Sequence, residues 1–228
     1  MNTAPVEAAQ PQGRGAGKSS SDAGADHQDT ALRLLEAGRR LFATGGFEGT
    51  SVRALTREAG ANLGAITYHF ETKEALYQAV LERVLSPVRT RLERLGDSSL
   101  PAPELLELFV RGMFQHLREN KDIPRFFVQE IVLGEVPSPP ILNTVQTVAG
   151  TLAGILEDGQ REGTVVGGDP VLMALTFLSQ PIYLSLMPAF LERENLRGAR
   201  LPEPEQSAEE HAVAFLRRAF VVSEEESE

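Results

Sequence analysis

The sequence predicts an all-α protein in which a small N-terminal helical unit precedes a larger helical body. Along most of its 228 residues, apolar side chains recur at the three- and four-residue spacing of helices. Glycines, prolines and short polar residues stand where these runs would begin and end. No segment alternates apolar and polar residues between turn signals, as a half-buried strand would. The 42% hydrophobic content is ordinary for a globular protein and sufficient for two helical units.

Both ends of the chain are predicted to lie outside the packed body. Residues 1–28 are rich in Ala, Gly, Ser, Pro and Gln and contain few large apolar side chains. Such a segment cannot bury enough apolar surface to offset the entropy lost on ordering, so we predict a disordered tail over 1–28. Residues 223–228 are mainly glutamate and are interpreted as an acidic tail.

The first packed helix is predicted to begin at Asp29, where apolar residues start to recur at helical spacing. Gly45 and Gly46 end that run. A short second helix follows, and either Thr50 or Ser51 could cap its first turn through a side-chain oxygen.

Two further helices complete the N-terminal part of the chain. Gly60 suits the left-handed residue of a tight turn. Asn62 is then predicted to cap a third short helix that ends near Phe70. Thr72 is predicted to cap a fourth, which continues to about residue 95 with a kink at Pro87. These boundaries divide the chain into residues 29–76 and a body of residues 77–222.

The body is predicted to contain six helices, over residues 103–119, 122–133, 140–162, 170–178, 182–193 and 205–221. Residues 171–191 carry no charge and are numerous enough to cross a bilayer. Pro181, Pro188 and several polar side chains lie within this segment, and no Lys/Arg cluster precedes it. These features favour helices buried in a core or a subunit interface over a membrane span.

Charge is distributed unevenly along the chain. The whole sequence has a net charge of −10, but residues 29–96 carry ten Lys and Arg against eight Asp and Glu, while residues 97–228 carry ten against twenty-one. A mildly basic segment joined to an acidic one is typical of a nucleic-acid-binding part attached to a part with another task. Two differently solvated surfaces would give the same division.

Several functional classes are disfavoured by what the sequence contains. It has no cysteine, which excludes disulfides, cysteine-ligated zinc and thiol nucleophiles. The first residues contain no apolar run, so no signal peptide is predicted and a cytoplasmic location is expected. His116 with Glu119, and Glu210 with His211, could each begin a metal site, but no second cluster completes either pair at a recognised spacing. We therefore predict neither an enzyme nor a bound metal or cofactor.

Residues 50–73 have the pattern of a helix-turn-helix motif. Thr56 and Ala59 are small enough for two helices to approach closely, and Leu55 and Ile66 are placed to fill the space between them. In that motif the second helix enters the major groove of DNA. A helical hairpin inside an unrelated core would have the same spacing, so the pattern alone leaves both interpretations open.

A family resemblance favours DNA binding. The segments that carry it are GGF at 45–47, TSV at 50–52, EAG at 58–60, GAI at 64–66, YHF at 68–70 and KEAL at 73–76. Together they resemble the N-terminal domain of the TetR family of one-component transcriptional regulators, and residues 62–70 are similar to the CecR-like branch. The resemblance implies a helix-turn-helix DNA-binding domain followed by a helical domain for effector binding and dimerisation.

The resemblance also implies which residues contact DNA. These are Thr50, Ser51, Arg53, Asn62, Leu63, Gly64, Ala65, Thr67, Tyr68, His69 and Lys73. Arg53 would pair with a guanine or a phosphate, and Ala65 or Thr67 would meet a thymine methyl group. Tyr68, His69 and Lys73 would donate to phosphates. His69 could equally pack against the fourth helix.

For the body, the resemblance implies a homodimer that binds a pseudo-palindromic double-stranded DNA operator and releases it when a small, hydrophobic effector binds. The dimer candidates are residues 171–190 and a stripe of Ala212, Phe215, Leu216 and Phe220. The effector candidates are Phe109, Met113, His116, Phe126, Phe127, Gln129, Phe177, Gln180 and Tyr183. Burial within one subunit is the alternative for each aromatic residue in these sets.

Overall fold

The computed structural model describes residues 20–132, 137–193 and 205–222. Within those ranges the chain is helical, as the sequence predicts, and the remaining structure consists of turns and a single antiparallel bridge between Val165 and Val221. The elements are α1 Ser20–Gly45, α2 Val52–Glu58, α3 Ala65–Phe70, α4 Lys73–Gly96, α5 Ala102–Glu119, α6 Ile123–Phe127, a π-helical turn Val128–Val132, α7 Pro139–Arg161, α8 Pro170–Arg193 and α9 Glu205–Phe220.

Helix α1 begins at Ser20, nine residues before the predicted start at Asp29 and inside the predicted tail. The additional turns carry His27, whose ring lies 5.0 Å from Tyr68 and 4.3 Å from His69, measured between ring centroids. A contact with a helix far along the chain leaves no mark in local spacing. Residues 1–19 and 223–228 lie outside the described residues.

Two predicted elements of the body differ in the structure. The segments 170–178 and 182–193 form one continuous helix, α8, which passes through the buried Pro181. A proline removes one backbone donor, and α8 continues because Phe177, Leu178 and Ile182 pack on either side of it. The predicted helix 122–133 is instead the short α6 followed by the π-helical turn. Such wide turns are uncommon and occur often at functional sites.

Helix α8 is the one described helix long and apolar enough to cross a membrane, over Pro170–Met187. It packs against α5, α7 and α9. This arrangement agrees with the interpretation of the uncharged segment as a packed helix.

Helix α4 belongs to two packed groups of helices. Its first turns contact α1 and α3, and its remainder contacts α5 and α7. Leu76, Leu81, Leu85 and Leu92 are fully buried along it. Burying one such side chain stabilises the fold by about 1.5–3 kcal/mol, so α4 is firmly held by both groups.

Polar contacts join the same two groups at a second place. The Arg39 guanidinium on α1 donates to both carboxylate oxygens of Asp122, at 2.5 and 2.7 Å, and to Asn120 Oδ1 at 2.9 Å. The Tyr77 hydroxyl on α4 donates to Glu130 Oε1 at 2.7 Å. Glu130 lies in the π-helical turn, so this turn and the segment before α6 are tied directly to the N-terminal helices.

Candidate nucleic-acid interface

The turn between α1 and α2 fixes the start of α2. The Ser51 side chain accepts a hydrogen bond from the Ala54 N–H at 3.2 Å and caps the helix, so of the two predicted caps Ser51 is the one used. The Thr50 side chain is buried and donates to the carbonyl of Gly46 at 2.7 Å. That hydroxyl is committed inside the protein, and a contact between Thr50 and DNA stays a prediction.

The turn between α2 and α3 has the features that the motif requires. Gly60 has φ +60°, in the left-handed region that glycine adopts readily. Leu55 and Ile66 are almost completely buried where the two helices meet. The Thr56 hydroxyl donates to the Val52 carbonyl at 3.0 Å, so a polar residue is tolerated at this close approach. The predicted helix-turn-helix geometry is present.

Helix α3 starts later than predicted. It spans Ala65–Phe70, its N-cap residue is Gly64, and no side chain caps it. Asn62 contributes only its backbone carbonyl, which accepts from the Ala65 N–H at 3.1 Å, so its predicted capping role is wrong and its side chain is exposed. A turn over residues 61–64 takes the place of the predicted first helical turn.

The residues of α3 and its preceding turn that were predicted to contact DNA fall into an exposed group and a buried one. Leu63, Gly64 and Thr67 are exposed, and Tyr68 is 74% exposed. The Ala65 side chain, one of the two predicted to meet a thymine methyl group, is buried against the core. Thr67 is therefore the member of that predicted pair that faces outward.

Tyr68 and His69 both contact His27 on α1. The His69 ring is half-exposed and lies beside His27. Partial burial and the proximity of His27 both lower the pKa of His69, which favours a neutral ring. The half-exposed His69 ring therefore packs against α1, whereas the sequence offered α4 as its packing partner.

Lys73, the first residue of α4, is held by the turn that precedes α2. Its Nζ donates to the carbonyls of Phe47 and Thr50 at 3.0 and 3.2 Å and lies 4.0 Å from the centre of the Phe47 ring. An ammonium group has three donors, so one remains for a phosphate. In this structure Lys73 positions the start of α2.

Exposed arginines lie on α2. Arg53 and Arg57 are exposed, and in the part of the chain that the structure describes no hydrogen bond or ion pair holds either guanidinium. Arg53 was expected from the family resemblance, whereas Arg57 was missed. Its place one turn after Arg53, on a short helix rich in arginine, was the available signal.

A cleft of about 540 Å³ separates α1 from α3. Its lining residues are His27, Thr30, Arg33, Gly60, Ala61, Asn62, Gly64, Ala65, Tyr68 and His69. His27 precedes the predicted start of α1, and neither it nor Arg33 was predicted to lie at this surface. None of these lining residues has a carboxylate side chain, although the lining Arg33 is paired with Asp29 at 3.2 Å.

The structure does not bring the nine predicted effector residues together. Phe109, Met113 and His116 line a cavity of about 220 Å³ between α4 and α5. Phe126 and Phe127 are buried in the core, and Phe177 and Gln180 line a gap of about 10 Å³, which is too small for a ligand. Gln129 is half-buried, with no hydrogen-bond partner for its Oε1, and Tyr183 is exposed. Three of the nine predicted residues therefore line one cavity, and the effector role of all nine stays a prediction.

His116 is a satisfied core residue. The Val84 carbonyl lies 3.2 Å from its Nε2 and can only accept, so Nε2 carries the proton. Its Nδ1 then accepts from the Asn120 side chain at 3.3 Å. Among the described residues, no group of His, Asp and Glu is arranged to hold a metal ion.

Comparison with known proteins agrees with this geometry. The model of the TetR family of bacterial regulatory proteins matches residues 34–80, which contain α2, α3 and the start of α4. This stretch therefore has the sequence of a TetR-type DNA-binding domain. The matched segment contains the helix-turn-helix that the sequence predicts. The relatives and the proteins with the same fold are transcription regulators and not enzymes. The similarity to the CecR-like branch stays a prediction.

The sequence alignments with relatives cover part of this chain. The HTH-type transcriptional regulator YerO of Bacillus subtilis is 27% identical over 105 residues, which are 45% of this chain and 36% of YerO. The HTH-type transcriptional repressor DhaR of Mycobacterium sp. strain GP1 is 27% identical over 134 residues, 58% of this chain and 68% of DhaR. A solved TetR-family regulatory protein from Rhodococcus RHA1 has a TM-score of 0.68 and 21% identity, and the alignment covers 85% of this chain and 98% of that one. That last likeness shows a shared fold.

Proposed function

We propose that the protein is a ligand-responsive repressor that binds a pseudo-palindromic operator as a homodimer and is released by a small effector with a large apolar part. The observation that carries this proposal is the exposed surface formed by Arg53, Asn62, Leu63, Thr67 and Tyr68 beside a well-packed helix-turn-helix core.

The contacts with DNA follow from the chemistry of that surface. Helix α3 enters the major groove, where the Arg53 guanidinium pairs with the O6 and N7 atoms of a guanine. The Thr67 methyl group faces a thymine methyl, and the Tyr68 hydroxyl donates to a phosphate. Arg57 and the remaining donor of Lys73 supply further phosphate contacts, which carry affinity but no sequence information.

The second copy of the chain covers an apolar surface on α8. Val171, Leu172, Leu175 and Tyr183 are exposed on this helix, and Leu172 is 65% exposed. Contiguous apolar surface of this kind is typical of an interaction site. Of the α9 stripe, Phe215 is exposed, whereas Ala212 and Leu216 are buried within the subunit and are excluded from the interface. A two-fold axis would pair the same α8 surface on both copies.

Dimerisation also gives the reading helices their spacing. One short helix reads few base pairs, so specificity requires two of them about 34–36 Å apart, one turn of DNA. The operator is then a pseudo-palindrome, since the protein presents the same residues twice. As a DNA-binding regulator of this kind, the protein acts in the cytoplasm.

Effector release requires a connection from the body to α3, and α4 provides it. Its first residue, Lys73, holds the turn before α2, and its last turns line the cavity beside α5. The Tyr77–Glu130 and Arg39–Asp122 contacts give a second connection. A ligand that binds more tightly to the state with separated reading helices weakens DNA binding by the same factor.

The test is selection of bound fragments from the source genome by the purified full chain, at about 0.15 M salt because salt decides which binding is specific. The proposal predicts enrichment of one pseudo-palindrome. The control is Arg161→Ala, at the end of α7, which should enrich the same motif. The selection is repeated with added cell extract, which supplies small molecules from the cell. If a folded dimer enriches no motif in either condition, the proposal is contradicted.

A further inference from the structure

The cavity between α4 and α5 has walls that are almost entirely apolar. Its volume of about 220 Å³ is roughly that of seven water molecules, at about 30 Å³ each in the liquid. The apolar lining consists of Val88, Leu92, Leu95, Leu108, Phe109 and Met113. Apolar walls of this size suit the body of a small hydrophobic ligand.

The one polar residue in its wall besides arginine offers nothing to a ligand. His116 uses Nε2 to donate to the Val84 carbonyl and Nδ1 to accept from Asn120, as described above. Burial first, and then the positive charge of Arg91, lower the pKa of His116, so the ring is neutral near pH 7. Both ring nitrogens are therefore already engaged within the protein.

Two arginines lie at the mouth of the cavity. Arg91 and Arg94 are three residues apart on α4 and therefore project from one side of the helix. Arg91 is loosely held, by a 3.4 Å hydrogen bond to the Gly112 carbonyl and by Glu119 at 3.9 Å. Arg94 is exposed, and no ion pair within the described ranges engages it.

The arginines on α5 are held more firmly than Arg91 and Arg94 on α4. Arg111 pairs with Glu107 at 2.8 Å, and Arg118 with Glu209 at 2.6 Å. Their donors are already occupied, whereas those at the cavity mouth are available. Arg91 has only a 3.9 Å ion pair with Glu119, and Arg94 has no ion pair among the described residues, so both can receive a carboxylate.

We propose that this cavity binds a small carboxylate with an apolar body, such as a medium-chain or aryl-substituted alkanoic acid. The carboxylate lies between Arg91 and Arg94, whose planar guanidinium groups match its geometry. The hydrocarbon lies against Leu92, Phe109 and Met113. The proposal names the chemical class of the effector and so rests on the proposed function.

The probe is a set of ligands with the same hydrocarbon and different heads: octanoate, 1-octanol, octylamine and octyl phosphate. Calorimetric titration of the full chain, without DNA, is expected to show octanoate binding at least about tenfold more tightly than 1-octanol and no binding of octylamine. Tighter binding of octyl phosphate than of octanoate would overturn the assignment of the head group.

Variants locate the site. Arg91→Ala/Arg94→Ala is expected to remove the preference for octanoate over 1-octanol, while the control Arg161→Ala keeps it. Gly112 lines the cavity, and a Cβ there would meet no atom within 4 Å. Gly112→Leu should therefore fill the cavity without disturbing the core, since leucine also favours the helix. It is expected to abolish binding of octanoate with no loss of thermal stability, and unchanged binding to this variant would overturn the proposal.

Failure of this proposal differs from failure of the proposed function. If the chain enriches an operator but octanoate and 1-octanol bind alike, or neither binds, the carboxylate class is wrong and the DNA-binding function stands. If octanoate binds at the two arginines but leaves operator affinity unchanged, the ligand class is right and the effector role is wrong.

Discussion

The Tyr77 hydroxyl donates a 2.7 Å hydrogen bond to Glu130 Oε1 and thereby joins the first turns of α4 to the π-helical turn after α6. Burial first, and then the contact with Glu130, raise the pKa of Tyr77 far above its ordinary value, so the hydroxyl remains a donor throughout the physiological range. The second carboxylate oxygen of Glu130 accepts from the Ser138 N–H at 2.6 Å. One carboxylate thus links α4, the π-helical turn and the start of α7.

Tyr77→Phe tests this link. The phenylalanine ring keeps the packing against Phe42, whose ring centroid is 4.9 Å away, but leaves Glu130 without its donor. Because the acceptor is a carboxylate, the free energy of unfolding should fall by about 1.5–3 kcal/mol. Urea denaturation measures this change, and a difference below about 0.5 kcal/mol, the usual range for surface substitutions, would mean that the link contributes little.

Lys73→Ala removes the two hydrogen bonds that hold the turn before α2, together with the contact over the Phe47 ring. We expect a loss of about 1.5–3 kcal/mol in unfolding free energy, because both carbonyls lose a charged donor. Operator binding should weaken as well, since the start of α2 is no longer fixed. Thermal denaturation and a binding titration on one sample measure both effects, and unchanged stability would show that Lys73 does not hold the turn.

The stability of the protein should depend on the protonation of His116. Its pKa is lowered from the ordinary 6.5 in the folded state, so at low pH the unfolded state binds more protons than the folded one. The corresponding stabilisation is present above pH 6.5 and is lost as the pH falls below that value. Unfolding free energies measured between pH 5 and 8 should therefore decline more steeply for the parent than for His116→Gln. Equal slopes for the two proteins would contradict the effect of burial on this residue.

Leu172→Asp should weaken the dimer. The side chain is 65% exposed in the single subunit, so the substitution leaves folding intact and places a charge twice in the proposed α8 interface. We expect the dimer dissociation constant to rise at least about thirtyfold, or about 2 kcal/mol. Sedimentation equilibrium measures it, with Leu142→Asp on α7 as the control, because Leu142 is also an exposed leucine. Equal dimer affinity in both variants would exclude the α8 surface.

The sequence predicted those features that depend on near neighbours in the chain. Ser51 and Thr72 cap their helices through backbone groups three residues away, and Gly60 adopts the left-handed conformation that its turn requires. The start of α1 and the continuity of α8 through Pro181 depend on contacts between distant helices, which local spacing does not record.

The candidate site shows the same division. Residue types identified the helix-turn-helix, but the rotation of α3 about its own axis decides that Ala65 faces the core and Thr67 the solvent. In the body, helical spacing indicates that an aromatic side chain is buried, but it does not indicate whether that side chain lines a cavity or packs in the core. Phe109 reaches the cavity and Phe126 the core for reasons of tertiary packing alone.

The measurement that tests the account most directly is the sequence motif selected by Arg53→Ala compared with that of the parent chain. Arg53 is exposed and, within the described residues, no partner engages its guanidinium. If it pairs with a guanine, the variant will select the same pseudo-palindrome with the preference relaxed at one base pair in each half-site, a loss of about 1–3 kcal/mol in discrimination. A variant motif identical to the parent's at every position would contradict base recognition by the α2–α3 surface.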